Sequence, residues 1–227
     1  MAEGTGLIRL AVFGQPVAHS LSPRIHARFA RQCGLAVDYR AIEATAESFP
    51  EKVRELADAG GRGCNVTVPF KQAAWQLATR RSERSNLAEA ANTLCFDEDG
   101  WFADNTDGGG LRFDLESGAG LMLAGARICL LGAGGAAAGV TAALLQARPS
   151  LLLIANRTAD RAVDLATRHA ALGPAEGAGL DAVAQRGLDR VDQPLGRVVV
   201  LSHDVFAERL ADGLQLQIAV EQALGLV

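Results

Sequence analysis

Several features that mark particular classes of protein are missing from this chain of 227 residues. Its four cysteines lie about thirty residues apart and form no Cys-x-x-Cys pair, which argues against a zinc site and against a disulfide framework. The first residues, Met1-Ala2-Glu3-Gly4, include neither a basic segment nor an apolar run, so we expect no signal peptide. These absences predict reduced thiols, no metal site and a cytoplasmic location.

Positive charge is also scarce and scattered. The chain has 22 Lys plus Arg against 26 Asp plus Glu, a formal net charge of −4, and it contains no basic run that would favour nucleic acid or an anionic membrane. Residues 128–147 are uncharged and long enough to span a bilayer, but four glycines interrupt them, which is typical of a strand, a turn and a helix. We therefore expect a small-molecule partner, with no nucleic acid and no membrane. Independently of the charge pattern, we expect a monomer or homodimer.

Apolar runs alternate with helix signals along most of the chain, which predicts β-α units and a mostly parallel sheet. In the first helix, we expect Ser22 to be the N-cap and Pro23 to occupy the first helical position. The predicted strands are residues 7–13, 38–44, 64–68, 93–96, 101–103, 127–131, 151–155 and 197–201. The predicted helices are residues 22–33, 47–59, 69–78, 106–116, 136–146 and 159–171. Residues 172–196 have no clear pattern.

A glycine-rich segment follows a predicted strand and opens a predicted helix. Its sequence is Gly132-Ala133-Gly134-Gly135-Ala136. In that context the glycines allow a tight turn and a close approach to a diphosphate, whose charge the helix N-terminus favours. The alternative is a turn that only packs a helix on its strand.

The choice between NAD and NADP depends on the residues after the next predicted strand. An acidic residue there is typical of NAD sites, but this chain has Asn156-Arg157-Thr158, followed by Arg161. The arginines can hold a 2′-phosphate, which favours NADP. Asn156 and Thr158 can also simply cap the next helix.

Three polar clusters lie in the first half of the chain, each at the carboxyl end of a predicted strand, where open α/β sheets place their ligands. The clusters are Ser20-Leu21-Ser22-Pro23, Asn65-Val66-Thr67-Val68-Pro69-Phe70-Lys71, and Asn92-Thr93 with Asn105-Thr106-Asp107. They offer hydroxyls, amides, one ammonium and one carboxylate, a set suited to a polyhydroxylated acid. Lys71 and Asp107 could share a proton relay, although such residues, taken singly, are more often caps or surface charges.

In these motifs the chain resembles the shikimate dehydrogenase family. The resemblance covers residues 8–170 and includes Val12-Phe13-Gly14-Gln15-Pro16 and Ala91-Asn92-Thr93-Leu94 in addition to the segments quoted above. It implies a shikimate site formed by Ser20, Ser22, Thr67, Asn92 and Asp107, with Lys71 as the catalytic acid-base and Asp107 beside it. It also implies an NADP site formed by residues 132–136, Asn156, Arg157, Thr158 and Arg161.

The resemblance also gives an expected domain organisation. Residues 1–105 would form a substrate-binding α/β domain, residues 106–125 a linker helix and hinge, and residues 126–210 a Rossmann-like, doubly wound NADP-binding domain. Residues 211–227 would form a C-terminal helix that could pack back on the first domain. The NADP-binding domain is expected to be incomplete, because family motifs after Ser202 are absent or altered, and Val220 stands where a substrate-binding Gln is usual.

The activity implied is the NADP-dependent reduction of 3-dehydroshikimate to shikimate in aromatic amino-acid biosynthesis. Two alternatives stay open at this point. One is a quinate/shikimate dehydrogenase, and the other is a degenerate member that binds shikimate or NADP with little or no turnover.

Overall fold

The structure is a computed structural model, and it describes residues 6–185 and 198–202. The chain divides into two compact units, and the division falls after Thr106. Residues 107–125, most of the expected linker, are grouped with the second unit. The expected C-terminal helix over residues 211–227 lies outside the described residues.

The first unit is built on a six-stranded sheet with the strand order β2-β1-β3-β5-β6-β4. Its strands are β1 Ile8–Gly14, β2 Val37–Glu43, β3 Gly61–Val66, β4 Arg80–Arg81, β5 Thr93–Cys95 and β6 Phe102–Asp104. Its helices are α1 Ser22–Cys33, α2 Phe49–Asp58, α3 Lys71–Leu77 and α4 Glu83–Ala88. The short elements β4 and α4 were not predicted, since two and six residues carry little periodicity.

The sheet of the first unit is mixed. Strands β1, β2 and β3 are parallel, but β5 pairs antiparallel with both β3 and β6. The start of β5 therefore lies at the same edge as the carboxyl ends of β3 and β6. This corrects the expected placement of Asn92-Thr93, which lies at the amino end of its strand.

Helix α1 has the predicted bounds, Ser22–Cys33, but its N-cap is not the predicted residue. Ser22 is its first residue and Leu21 precedes it as a cap without a side-chain hydrogen bond, so the prediction of Ser22 as N-cap is wrong. The Ser22 N–H donates instead to Oγ of Ser20 at 3.2 Å. Gly34 ends the helix in the left-handed conformation, with φ of 66°.

The core of the first unit contains three phenylalanine rings. Phe49 stacks on Phe70 with centroids 4.8 Å apart, and it meets Phe13 edge to face at 5.8 Å. Phe13 and Phe49 are completely buried and Phe70 is nearly so. Phe70 directly precedes α3, so this packing fixes the start of that helix on the sheet.

The second unit has a four-stranded parallel sheet with the order β10-β7-β8-β9. Its strands are β7 Arg127–Leu131, β8 Leu151–Asn156, β9 Ala175–Gly179 and β10 Val198–Ser202. Its helices are α5 Asp107–Phe113, α6 Gly135–Gln146, α7 Ala159–His169 and α8 Asp181–Gln185, with a π-helical turn at Asp114–Gly118 and a 3-10 turn at Ala170–Leu172. This confirms the α/β class and the Rossmann-like character of the second half.

The core of the second unit lies between its sheet and its helices. Leu130 and Ile154 of the sheet, Leu144 of α6 and Leu165 of α7 are all at most 1% exposed and belong to one cluster. Burial of such aliphatic side chains holds α6 and α7 against the strand ends that precede them. Within the described ranges, none of the helices has both the length and the apolar character needed to cross a membrane.

Candidate functional site

One edge of the first sheet collects the polar motifs predicted from the sequence. Four backbone hydrogen bonds connect the chain segments along this edge. They are Thr67 N–H to Phe13 O at 2.8 Å, Val66 N–H to Asn92 O at 2.8 Å, Asn92 N–H to Asp104 O at 3.0 Å and Ala91 N–H to Lys71 O at 2.8 Å. Main-chain geometry thus brings together the residues around Thr67, Lys71, Asn92 and Thr106.

The two predicted serines follow β1 at this edge. Ser20 lies in the loop, where its N–H donates to Val17 O at 3.0 Å, and its hydroxyl accepts from the N–H of Ser22. Both serines are half-buried. Their positions are therefore set by the turn that leads into α1.

Asn92 has a fixed side-chain orientation. Its Oδ1 accepts from the Thr106 N–H at 3.1 Å and from the Thr93 hydroxyl at 3.0 Å, and its Nδ2 donates to Oγ1 of Thr106 at 2.8 Å. A backbone N–H can only donate, so the amide cannot rotate by 180° without losing that bond. The surrounding protein thus fixes the orientation of the Asn92 amide.

Asp104 anchors the segment that leads to Thr106. Its carboxylate accepts from the guanidinium of Arg84, from the Ser82 hydroxyl at 2.6 Å and from the N–H of Asn105 at 2.8 Å. The Arg84 guanidinium is the main reason that the pKa of Asp104 is lowered to about 2. Asn105 is buried, and its Nδ2 donates to Ala90 O at 3.0 Å, so the chain on both sides of Asp104 is fixed.

Three residues that sequence reasoning did not assign lie beside this edge. The Tyr39 hydroxyl donates to Oδ1 of Asn65 at 2.7 Å, and Nδ2 of Asn65 donates to Oγ1 of Thr93 at 3.2 Å. Asn65 and Thr93 belong to segments that were quoted as motifs, but Tyr39 contacts a residue 26 positions away, for which the sequence gives no signal.

The predicted diphosphate-binding turn has the shape that such a ligand requires. Gly132 adopts φ of 110°, and among the described residues no atom outside the adjoining chain lies within 4 Å of the position that a Cβ would occupy at Gly132 or Gly134. Helix α6, twelve residues long, begins at Gly135 without a side-chain cap and without an acidic residue in its first turn. An open glycine turn before an uncapped helix N-terminus fits a diphosphate.

The neighbouring strand end carries the residues predicted to select NADP. Gly132 N–H donates to Ala155 O at 2.7 Å, which places the glycine turn next to the end of β8. Nδ2 of Asn156 donates to the Thr158 carbonyl at 3.0 Å, and Thr158 is the N-cap residue of α7 but makes no side-chain cap. Arg157 and Arg161 are exposed, and within the described part of the chain neither forms an ion pair. Their charge is thus available to a phosphate.

Asp107, predicted to lie beside Lys71, is the first residue of α5 and belongs to the second unit. It is half-buried and directly follows Thr106 in the chain. The four residues Ser20, Ser22, Thr67 and Asn92 and the predicted acid-base Lys71 belong to the first unit.

Comparison with known proteins gives matches in both units. Residues 12–94 match the family model described as shikimate dehydrogenase substrate binding domain, and residues 116–176 match the model described as shikimate / quinate 5-dehydrogenase. The shikimate dehydrogenase (NADP(+)) of Methylococcus capsulatus is 50% identical over 184 residues, which cover 81% of this chain and 66% of that protein. The chain thus spans about two thirds of the length of this curated relative.

Two solved structures are similar in fold to this chain. An Ael1 enzyme from Pseudomonas putida superimposes with a TM-score of 0.74 at 30% identity, covering 95% of this chain and 97% of that one. Shikimate 5-dehydrogenase from Thermus thermophilus, solved in complex with shikimate, gives a TM-score of 0.67 at 30% identity and covers 96% and 99%.

Proposed function

The chain belongs to the shikimate dehydrogenase family, and on that premise we propose that it catalyses the NADP-dependent, reversible reduction of 3-dehydroshikimate to shikimate in aromatic amino-acid biosynthesis. The observation that supports this most strongly is the collection of hydroxyl and amide side chains at one edge of the first sheet. A ring acid with several hydroxyls needs such a set, because each of its polar groups must be matched when it leaves water.

Ser20, Ser22, Thr67 and Asn92 bind the substrate in this proposal. All four are half-buried, so each can contact a ligand while its position is fixed by the surrounding backbone. The fixed amide of Asn92 is the clearest case, since it is already held by Thr93 and Thr106. A group held before binding loses little conformational entropy when the ligand arrives.

Lys71 and Asp107 handle the proton. As shikimate is oxidised, the ring hydroxyl must lose its proton, and the amino group of Lys71 takes it in the proposal; in the reduction, Lys71 returns it to the same oxygen. Asp107 holds the reacting hydroxyl in place. Lys71 begins α3, and the bond from Ala91 N–H to its carbonyl fixes its backbone next to Asn92.

NADP fits the second unit. The open turn at Gly132 to Gly134 and the uncapped start of α6 would hold its diphosphate, with Ala133, Gly135 and Ala136 supplying backbone at the same turn. Arg157 and Arg161 would hold the 2′-phosphate, and Asn156 and Thr158 shape the loop that presents them. Bound NADP would supply the two-electron redox chemistry.

A spectrophotometric assay tests the proposal. The purified chain is mixed with shikimate and NADP, and the absorbance of NADPH is followed. Parallel reactions replace shikimate with quinate, or NADP with NAD. Formation of NADPH with shikimate and NADP, faster than with the other pairs, supports the proposal. Calorimetric binding of shikimate without turnover would indicate a binding protein, and neither binding nor turnover would refute both functions.

We further propose that the protein works in the cytoplasm as a monomer or homodimer. All four cysteines are free, and Cys33 and Cys95 are exposed, which suits a reducing compartment. Light scattering on a gel-filtration peak distinguishes the two oligomeric states.

A further inference from the structure

A continuous chain of side-chain hydrogen bonds runs through the first unit to Asn92. The Tyr39 hydroxyl donates to Oδ1 of Asn65 at 2.7 Å, and Nδ2 of Asn65 donates to Oγ1 of Thr93 at 3.2 Å. The Thr93 hydroxyl then donates to Oδ1 of Asn92 at 3.0 Å. We name these four residues the Tyr39 chain.

The direction of every bond in the Tyr39 chain is set by backbone groups. Nδ2 of Asn65 also donates to the carbonyl oxygen of Asn92 at 3.3 Å, and a carbonyl can only accept, so Oδ1 of Asn65 must face Tyr39. At the other end, the Thr106 N–H can only donate, so Oδ1 of Asn92 must face it. The Thr93 hydroxyl, which accepts from Asn65, is left to donate to Asn92.

Tyr39, the first donor of the Tyr39 chain, is held firmly. The ring of Tyr39 stacks on His26 with centroids 4.1 Å apart and planes 15° apart, and Nδ1 of His26 donates to the Ser22 carbonyl at 2.9 Å. Burial raises the pKa of Tyr39 well above its ordinary value, with a smaller opposing effect from Ser22, so the phenol keeps its proton at neutral pH.

We propose that Tyr39, acting through Asn65 and Thr93, is a positioning residue that holds the amide of Asn92 in the orientation used to bind the substrate. Tyr39 donates the 2.7 Å hydrogen bond that Oδ1 of Asn65 accepts, the shortest bond in the Tyr39 chain. Without it, Asn65 is held only by the two longer bonds that its Nδ2 donates, at 3.2 and 3.3 Å, so its amide becomes more mobile. The Thr93 hydroxyl is then oriented less firmly, and its hydrogen bond to Oδ1 of Asn92 weakens. Cooperative networks of this kind depend on each member. The role of Asn92 in substrate binding rests on the proposed function, whereas the effect of Tyr39 on the orientation of the Asn92 amide does not.

Tyr39→Phe tests the proposal, because it removes the hydroxyl and keeps the ring that stacks on His26. We expect KM for shikimate to rise about three- to tenfold, the loss expected for one net hydrogen bond, while kcat changes much less. Affinity for 2′,5′-ADP, measured by calorimetry, should not change. An unchanged KM, or equal losses in kcat and in 2′,5′-ADP affinity, would overturn the proposal.

Variants at Thr93 test whether the four residues of the Tyr39 chain act as a unit. Thr93→Val should raise KM for shikimate as much as Tyr39→Phe does. Thr93→Ser keeps the hydroxyl, so its KM should stay close to that of the parent protein. Thr79→Val is the matched control, since the Thr79 hydroxyl bonds only weakly to Trp101 O at 3.4 Å, outside the Tyr39 chain. In the double variant Tyr39→Phe/Thr93→Val, KM for shikimate should be little higher than in either single variant. Effects that multiply would show two independent contributions and refute the coupling.

A measurement without ligand separates this proposal from the proposed function. In the free protein, nuclear magnetic resonance can follow hydrogen exchange of the Asn92 side-chain amide. Exchange should be faster in Tyr39→Phe and in Thr93→Val than in the parent chain and in Thr79→Val. If exchange responds in this way but shikimate does not bind, Tyr39 does position Asn92 and the proposed substrate is wrong. If exchange does not respond, Tyr39 does not position Asn92, whatever the substrate is.

Discussion

A Cβ atom on Gly14 would lie 2.4 Å from Cγ2 of Thr67, so the last residue of β1 leaves no space for a side chain. The same atom would lie 3.3 Å from the Val68 carbonyl oxygen. The Thr67 N–H donates to Phe13 O at 2.8 Å, which keeps the two segments at this distance. The glycine therefore sets the position of a threonine proposed to bind substrate.

Gly14→Ala should consequently displace Thr67. We expect the dissociation constant for shikimate to rise about tenfold, or about 1.4 kcal/mol, and the free energy of unfolding to fall by about 1–3 kcal/mol because of overpacking. Calorimetric titration and urea denaturation measure the two effects. Gly6→Ala is the control, since no atom of the described residues, apart from the adjoining chain, lies within 4 Å of a Cβ there. Unchanged shikimate affinity in Gly14→Ala would remove Thr67 from the binding site.

Lys71 and Lys52 are the two lysines of the chain, which gives a matched pair for the acid-base assignment. Lys71→Ala should lower kcat by a factor on the order of 10² to 10⁴, with shikimate affinity within a few-fold, because a proton-transfer group acts mainly in the transition state. Lys52 lies on α2, where its ammonium donates to the Glu43 carbonyl at 2.7 Å, so Lys52→Ala should leave kcat unchanged. Equal turnover in all three proteins would exclude Lys71 from the mechanism.

Arg157→Ala should weaken NADP binding far more than NAD binding, since only NADP carries the 2′-phosphate. We expect a loss of about ten- to a hundredfold for NADP, equivalent to one charge-assisted hydrogen-bonded contact, and less than twofold for NAD. Calorimetry with each cofactor measures this. Arg31→Ala, at the exposed end of α1, is the control. An equal loss for both cofactors contradicts the assignment.

The sequence was sufficient for the elements that carry strong local signals. The apolar run of β7 was predicted at its observed bounds, and α6 starts only one residue before its predicted start, because a buried strand, a glycine turn and an apolar helix each leave a clear pattern. The motifs around Thr67 and Asn92 also lie at the predicted edge of the sheet.

The rest depends on contacts between distant segments. The antiparallel direction of β5 follows from its pairing with β3 and β6, which three residues cannot reveal. Tyr39 was missed for a similar reason, since no local motif marks it. Its hydrogen bond to Asn65 joins β2 to β3, with β1 lying between them in the sheet. Ser22 shows the opposite error: a typical capping residue before proline is a helical residue here, because Ser20 accepts its N–H.

Asp104 should make stability depend on acid pH. Its folded-state pKa is lowered to about 2, mainly by Arg84, so its contribution is present above its ordinary pKa of about 4 and is lost as pH falls toward 2. Arg84→Ala should thus lower the free energy of unfolding at pH about 7, and the difference from the parent chain should shrink between pH about 4 and 2. Urea denaturation across this range measures it. Arg112→Ala breaks an ion pair whose carboxylate, Glu116, is more exposed than Asp104, so it should have little effect. A difference that is independent of pH would show that Arg84 does not act through Asp104.

Tyr39 is the one tyrosine of the chain, so the absorbance of tyrosinate reports on this residue alone. Burial raises its pKa above the ordinary value of about 10. In the folded protein, we therefore expect no tyrosinate just above pH about 10, whereas the chain unfolded in urea should show it there. Between the unfolded and folded pKa values the unfolded state binds fewer protons, so the free energy of unfolding should fall as pH rises through this window. His26→Ala uncovers one face of the ring and should move the titration back toward the ordinary value. A titration near pH about 10 in the folded parent chain, with unchanged circular dichroism, would mean that the phenol is open to solvent and is not a fixed donor to Asn65.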